Sequence, residues 1–305
     1  MPRIVDRAVL AILMAAALPA NASKDAKAAE DMAAHTFIET SFLIAPEKVG
    51  DFQLEDTSYD EANKHAGAGF RYALKDHQET RFDVFVYPAG RMAETEALTH
   101  GMADFRSSFD AAEQAGYYRD VQIVDESEFP LRVPEKPAVT HEAGDTSPSA
   151  GAAMDPEKTT ILRSLLEADR PDGRRLRMRM VLLPQDVPMR SDGYLFYKQL
   201  YFFKVRASAA QDRIDQDSFQ ALADMAARTL VPAIEVANVG SCANVVVNID
   251  KDAAAKEVGD ALMTQVAAHQ SENCFMNEAA AGIGGKSRDA RVVGIRFDPS
   301  DWNGQ

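Results

Sequence analysis

The clearest pattern in the first half of the chain is a period of two that gives way to a period of three to four. In Phe70-Arg71-Tyr72-Ala73-Leu74, large apolar groups alternate with smaller or charged ones. After the polar stretch Lys75–Glu79, the run Arg81–Tyr87 puts Phe82, Val84 and Val86 on one face. Two alternating runs around a short polar break predict a β-hairpin. Phe52–Asp56 carries a similar strand pattern. From Ala93 to Gly116 the period changes. Leu98, Met102, Phe105, Phe109 and Ala112 recur at steps of three and four, which is one face of a helix. Val121–Val124 then reads as a short strand.

In the second half, Ile161–Asp169 and Arg175–Leu183 flank Arg170-Pro171-Asp172-Gly173. Proline presets φ in a turn and glycine supplies a positive φ after it, so this stretch predicts a hairpin with a type I turn and a glycine bulge. Pairing 170 with 174 sets Asp169 opposite Arg175, Glu167 opposite Arg177, Leu166 opposite Met178 and Leu162 opposite Leu182. The row Arg175, Arg177 and Arg179 is then largely charge-paired across strands, which favours structure over an anion-binding row. Asp192-Gly193 marks a turn. Tyr194–Ala207 reads as one long strand with apolar groups on both faces, hence central and covered on both sides. Its aromatics Tyr194, Phe196, Tyr197, Tyr201, Phe202 and Phe203 are expected in the core rather than in a ligand groove. A helix follows over Gln216–Thr229, with Phe219, Leu222, Met225 and Ala226 inward. Asp215 or Asp217 caps its start, and Pro232 helps end it. The tail reads β-α-β: Val245–Ile249, then Asp252–His269 with Val258, Leu262 and Val266 inward, then Arg291–Phe297.

These elements predict an α+β fold: an antiparallel sheet with helices packed on its faces, plus a disulfide-linked C-terminal β-α-β segment. The α+β domain spans 37–236 and the tail 237–305. Residues 130–158, with five prolines among small and polar residues, read as a long flexible loop. Residues 23–36 read as a flexible polar N-terminus.

The first 22 residues carry a different signal. Arg3 and Arg7 precede an uncharged apolar run, Ala8–Leu18, which ends at Pro19 and Ala20-Asn21-Ala22. A charged start, a short apolar stretch and a small-x-small site make up a secretory signal peptide, with cleavage before Ser23. Eleven apolar residues are too few for a bilayer, which needs about 20, and no later stretch approaches that length. The expected location is the periplasm or the extracellular medium, with no transmembrane segment in the mature chain.

Charge narrows the partners. The net charge is −14, and losing Arg3, Arg7 and Asp6 with the leader makes it −15. Nucleic acid calls for a basic face, so no nucleic-acid partner is expected. The expected partner is an unidentified envelope protein or a small ligand.

Export also changes what the cysteines mean. Cys242 and Cys274 are the only two. In an oxidising compartment they are expected to form one disulfide. No C-x-x-C redox motif is present.

Candidate chemistry is sparse. Gly282-Ile283-Gly284-Gly285-Lys286-Ser287 resembles a phosphate loop, but Ala280 stands where the first glycine belongs, and helix-then-strand reverses the needed context. His35, His65, His77, His100, His141 and His269 show no metal-ligand spacing. There is no G-x-S-x-G elbow. Asp125, Glu126 and Glu128 form an acidic run that reads as a solvated face. No catalytic, cofactor-binding or metal residue is assigned, and no cofactor is expected.

The stretches Phe42-Leu43-Ile44-Ala45-Pro46, Val49-Gly50-Asp51-Phe52 and Phe202-Phe203-Lys204-Val205-Arg206-Ala207-Ser208 give residues 37–235 a fold-level resemblance to PsbP-like exported α+β proteins. That resemblance implies an antiparallel sheet with helices on its faces and an accessory, mostly non-enzymatic role. It transfers no functional residue. The function expected is a non-enzymatic binding or accessory module of the envelope. The alternative is a periplasmic hydrolase or ligand-processing enzyme whose site is assembled from distant residues.

Overall fold

The computed structural model describes residues 37–131, 171–244 and 271–302. Its main body is an antiparallel sheet of eight strands, built from the alternating runs. In chain order these are β2 (Lys48–Val49), β3 (Phe52–Tyr59), β4 (Ala68–Leu74), β5 (Thr80–Pro88), β6 (Tyr118–Pro130), β7 (Asp172–Leu182), β8 (Val187–Lys198) and β9 (Tyr201–Ala210). Across the sheet the order is β2-β3-β4-β5-β9-β8-β7-β6. The expected hairpin is β4–β5, with Phe70 opposite Val84 and Tyr72 opposite Phe82. The expected helix is α1 (Glu94–Gln114), which buries Leu98, Met102, Phe105 and Phe109. A second helix, α2 (Gln216–Ala233), lies on the opposite face of the sheet. Asp215 caps α2 by accepting from the Ser218 amide at 2.9 Å. The fold is thus α+β, an antiparallel sheet with a helix on each face.

Four local expectations are corrected. First, Tyr194–Ala207 is two strands. The chain reverses at Gln199-Leu200, both at positive φ (54° and 68°), and Lys198 pairs with Tyr201. Neither residue is a turn former. Tertiary contacts hold them instead: Leu200 is 4% exposed, its carbonyl accepts from the amides of Ala89 and Gly90, and the Gln199 side chain accepts from the Val236 amide at 2.7 Å. Both faces are covered, as expected. Tyr194, Phe196, Tyr201, Phe203 and Val205 pack with the α2 residues Phe219, Ala223 and Leu230. Leu195 and Phe202 pack with α1.

Second, Asp192-Gly193 lies inside β8, paired with Arg177 and Leu176 of β7. Third, Asp172 and Gly173 already belong to β7. Both edges of β7 are taken, by β6 and β8, so Arg175 lies opposite Ser127 and Tyr194, and Arg177 opposite Asp125 and Asp192. The strand expected at 121–124 is 13 residues long and supplies the edge that 161–169 was expected to fill. The latter segment lies outside the described residues. Gly173 serves close packing, because a Cβ there would stand 2.3 Å from the Phe196 ring. Fourth, α2 continues past Thr229 with Pro232 in its last turn, and Met225 faces solvent at 40% exposure. Its inward stripe is Phe219, Ala223, Ala226, Ala227 and Leu230. The three alanines let the helix sit close to the aromatic sheet.

A smaller sheet of order β11-β10-β1-β12 joins the two ends of the described chain. Here β1 (Thr40–Pro46) lies between β10 (Glu235–Val239) and β12 (Ala290–Arg296), antiparallel to both. The short β11 (Cys274–Phe275) runs parallel to β10. Cys242 and Cys274 are disulfide-bonded, with Cα atoms 5.8 Å apart, and both are buried. The expected final strand is β12. The expected strand 245–249, helix 252–269, leader and N-terminus, and nearly all of the 130–158 loop lie outside the described residues.

Candidate functional site

One cleft lies where α1 crosses the end of the large sheet. β6 is the last strand, and among the described residues nothing pairs with its outer edge. Phe109 on α1 and Val121 and Ile123 on β6 form the apolar lining of a cleft of about 380 Å³, completed by Ala103, Arg106, Ser107 and Asp110. Beside it, Ile123 and Val124 are about half exposed and Tyr117 is 64% exposed. These apolar groups lie beside a strand edge that no described residue pairs with. On the lining, Arg106 donates to Glu126 at 2.6 Å, while Asp110 makes no ion pair among the described residues. Two bulges interrupt β6, at Arg119/Gln122 and Ile123/Asp125, and its pairing is regular from Asp125 to Pro130. Bulges of this kind discourage indiscriminate edge-to-edge pairing.

The arginine row is charge-paired, as expected, but by other carboxylates. Arg175 lies 3.5 Å from Asp125 and 3.4 Å from Asp224, and it donates to the Ser127 hydroxyl at 3.0 Å. Arg177 donates to Asp192 at 3.2 Å and lies 3.9 Å from Asp224. Arg179 donates to the Gln216 side chain at 2.8 Å. The Tyr194 hydroxyl donates to Asp224 at 2.5 Å. Burial beneath α2 pushes the Asp192 carboxyl up to about 6; Arg177 opposes this and Asp224 adds to it. The cluster ties α2 to β7 and β8 through two arginines shared among three carboxylates. The sequence held little signal for Asp192, read as part of a turn, or for Asp224, a polar break in an apolar helix face.

A second cleft, about 530 Å³, is polar and lined by Tyr59, Lys64, His65, Arg296, Asp298 and Asp301 among others. Lys64 donates to Asp301 at 2.6 Å, and His65 lies 3.5 Å from the same carboxylate. The hydrogen bond from Lys64 holds Asp301 below the usual carboxylate range. These pairs join a short 3-10 turn, Glu61–Ala66, to the C-terminal turn Pro299–Trp302.

The remaining candidates have structural employment. Gly282 is left-handed and opens the four-residue helix α3 (Ile283–Lys286). Lys286 donates to Glu235 at 2.6 Å, so the lysine of the phosphate-loop lookalike is tied to β10. In the acidic run, Asp125, Glu126 and Glu128 each face an arginine: Arg175, Arg106 and Arg174 respectively. His77 bonds Glu79 at 3.1 Å, and His100 is exposed on α1. Among the described residues no group of three or more His, Cys, Asp or Glu side chains could hold a metal ion, and no helix is long and apolar enough to cross a membrane. His35, His141 and His269 lie outside the described residues.

No protein-family model and no curated protein matches the chain. Among solved structures it is similar to the solution structure of cyanobacterial PsbP (CyanoP) from Synechocystis sp. PCC 6803. The identity is 11%, the match covers 61% of this chain and 82% of that one, and the TM-score is 0.35. The resemblance is weak and stays at the level of fold.

Proposed function

We propose that the protein is a non-enzymatic binding or accessory module of the cell envelope, working outside the cytoplasm. Its binding surface is the α1/β6 cleft. The occupant is an extended segment of a partner protein that lies along the edge of β6, with an apolar side chain in the cleft and basic residues on either side. The observation that carries this reading is the juxtaposition of a strand edge unpaired among the described residues, a helix and an apolar cleft between them. That arrangement suits strand addition, in which main-chain hydrogen bonds provide affinity and side-chain pockets provide specificity. Charge complementarity selects the partner, because Asp110 on the lining makes no ion pair among the described residues, whereas Arg106 is paired with Glu126. Export is supported by the leader-like residues 1–22 and by the buried bridge.

Two measurements test it. Protein recovered from the periplasm should have an intact mass that begins near Ser23 and no thiol that reacts before reduction. A full-length precursor or two free thiols in native protein would contradict export. For binding, alternating Lys-Val and Glu-Val peptides are titrated by fluorescence anisotropy. The basic peptide should bind, more weakly as salt rises, and Ile123→Ser should weaken it by on the order of tenfold, equivalent to about 1.4 kcal/mol. Equal binding of both peptides, or no effect of Ile123→Ser, would remove the cleft from consideration.

A further inference from the structure

The polar cleft beside the C-terminal turn holds two charges that the fold leaves unused. Its lining carries two cations, Lys64 and Arg296, and three carboxylates, Glu61, Asp298 and Asp301. Three of these five are tied together. Lys64 donates to Asp301 at 2.6 Å and lies 3.6 Å from Asp298. Asp301 also accepts from the Asp298 amide at 2.6 Å, and His65 stands 3.5 Å from its other oxygen. Glu61 and Arg296 differ. Both are exposed, and neither side chain has an ion pair or a hydrogen bond among the described residues. Glu61 opens the 3-10 turn and Arg296 ends β12. The two line one cleft of about 530 Å³ without pairing with each other. Asn63, on the same lining, has a side-chain amide with no hydrogen bond among the described residues. Burial first, and the Glu61 carboxylate next, hold the Tyr59 hydroxyl above its ordinary range, so Glu61 and Tyr59 belong to the same end of the cleft.

We propose that this cleft binds a small zwitterion of the dipeptide class, with its carboxylate on Arg296 and its ammonium on Glu61. A guanidinium takes a carboxylate through two parallel hydrogen bonds. The ammonium meets Glu61, with the Tyr59 ring as an aromatic neighbour that a cation favours. The Asn63 amide both donates and accepts, which matches a peptide group between the two charged ends. Ligands of one sign fit less well. A simple anion faces three carboxylates, and a simple cation faces the unpaired Arg296. The volume is that of a small-ligand cleft, and the polar lining offers little to a large apolar side chain. This site is separate from the α1/β6 cleft and does not depend on it.

The test titrates the whole protein at pH 7 by calorimetry with glycylglycine, N-acetylglycylglycine and glycylglycinamide. The first carries both charges, the second only the carboxylate, the third only the ammonium. Glycylglycine should bind, and each capped peptide should bind more weakly by on the order of tenfold. Arg296→Gln should bring glycylglycine down to the level of glycylglycinamide and leave glycylglycinamide itself unchanged. Glu61→Gln should bring it down to the level of the acetylated peptide in the same way. Ile123→Ser, at the other cleft, should leave all three affinities unchanged, so failure at one cleft is told apart from failure at the other. Equal affinity of the wild-type chain for the three peptides, or none for glycylglycine at millimolar concentration, would overturn the proposal without recourse to any variant. Glycylglycine binding that survives Arg296→Gln undiminished would overturn the placement of the carboxylate.

Discussion

The ring of Phe105 on α1 lies directly against Gly193 of β8, so close that a Cβ at position 193 would meet the ring at 2.3 Å. No positive φ is involved. The glycine is there because the helix presses its aromatic stripe onto the strand.

Gly193→Ala therefore forces Phe105 or the helix to move. Overpacking of a filled core costs about 1–3 kcal/mol. Urea unfolding should show a lower midpoint with an unchanged slope. A midpoint equal to that of the wild type would mean that α1 is free to lift.

Asp192 makes stability depend on pH in a defined direction. Its carboxyl titrates near 6 in the folded chain, against an ordinary value of 3.8. The folded state therefore binds the proton more tightly than the unfolded state does. The resulting stabilisation is fully present below 3.8 and is lost as pH rises through about 6, an effect on the order of 3 kcal/mol. Asp192→Asn, which does not titrate, should flatten the fall in urea midpoint between about pH 4 and 6. An unchanged slope in that variant would assign the dependence to other groups.

Lys198 closes the end of α2. Its Nζ donates to the carbonyls of Val231 at 3.0 Å and Ile234 at 2.9 Å, and it lies over the Phe203 ring. Lys198→Met keeps most of the buried stem and leaves those carbonyls without this donor, which costs about 1–3 kcal/mol. Hydrogen exchange should quicken first in the last turn of α2. Loss confined to some other element would contradict this role.

Local pattern determined a good deal by itself. The alternation of Phe70, Tyr72, Leu74 with Phe82, Val84, Val86 sufficed for β4–β5, because one buried face leaves no freedom of register. The Leu98–Phe109 stripe sufficed for α1 and the two cysteines for their own bridge, while the start of α2 was narrowed to Asp215 or Asp217 and the structure selects Asp215. What only the tertiary structure decided are the contacts between residues far apart in sequence. Asp192-Gly193 has turn-forming chemistry and lies in a strand because Phe105, some 90 residues earlier, needs the space. Gln199-Leu200 has no turn-forming chemistry and turns because Ala89, Gly90, Val236 and Asn238 bind its backbone and side chain. Arg175 and Arg177 were legible as charge-paired. Their partners Asp125, Asp192 and Asp224 were not, since a strand has two edges and local sequence does not say which segments fill them. The α1/β6 cleft and the polar cleft of Glu61 and Arg296 were hidden for the same reason. Each is assembled from separate elements, and neither leaves a trace in the periodicity of any one of them.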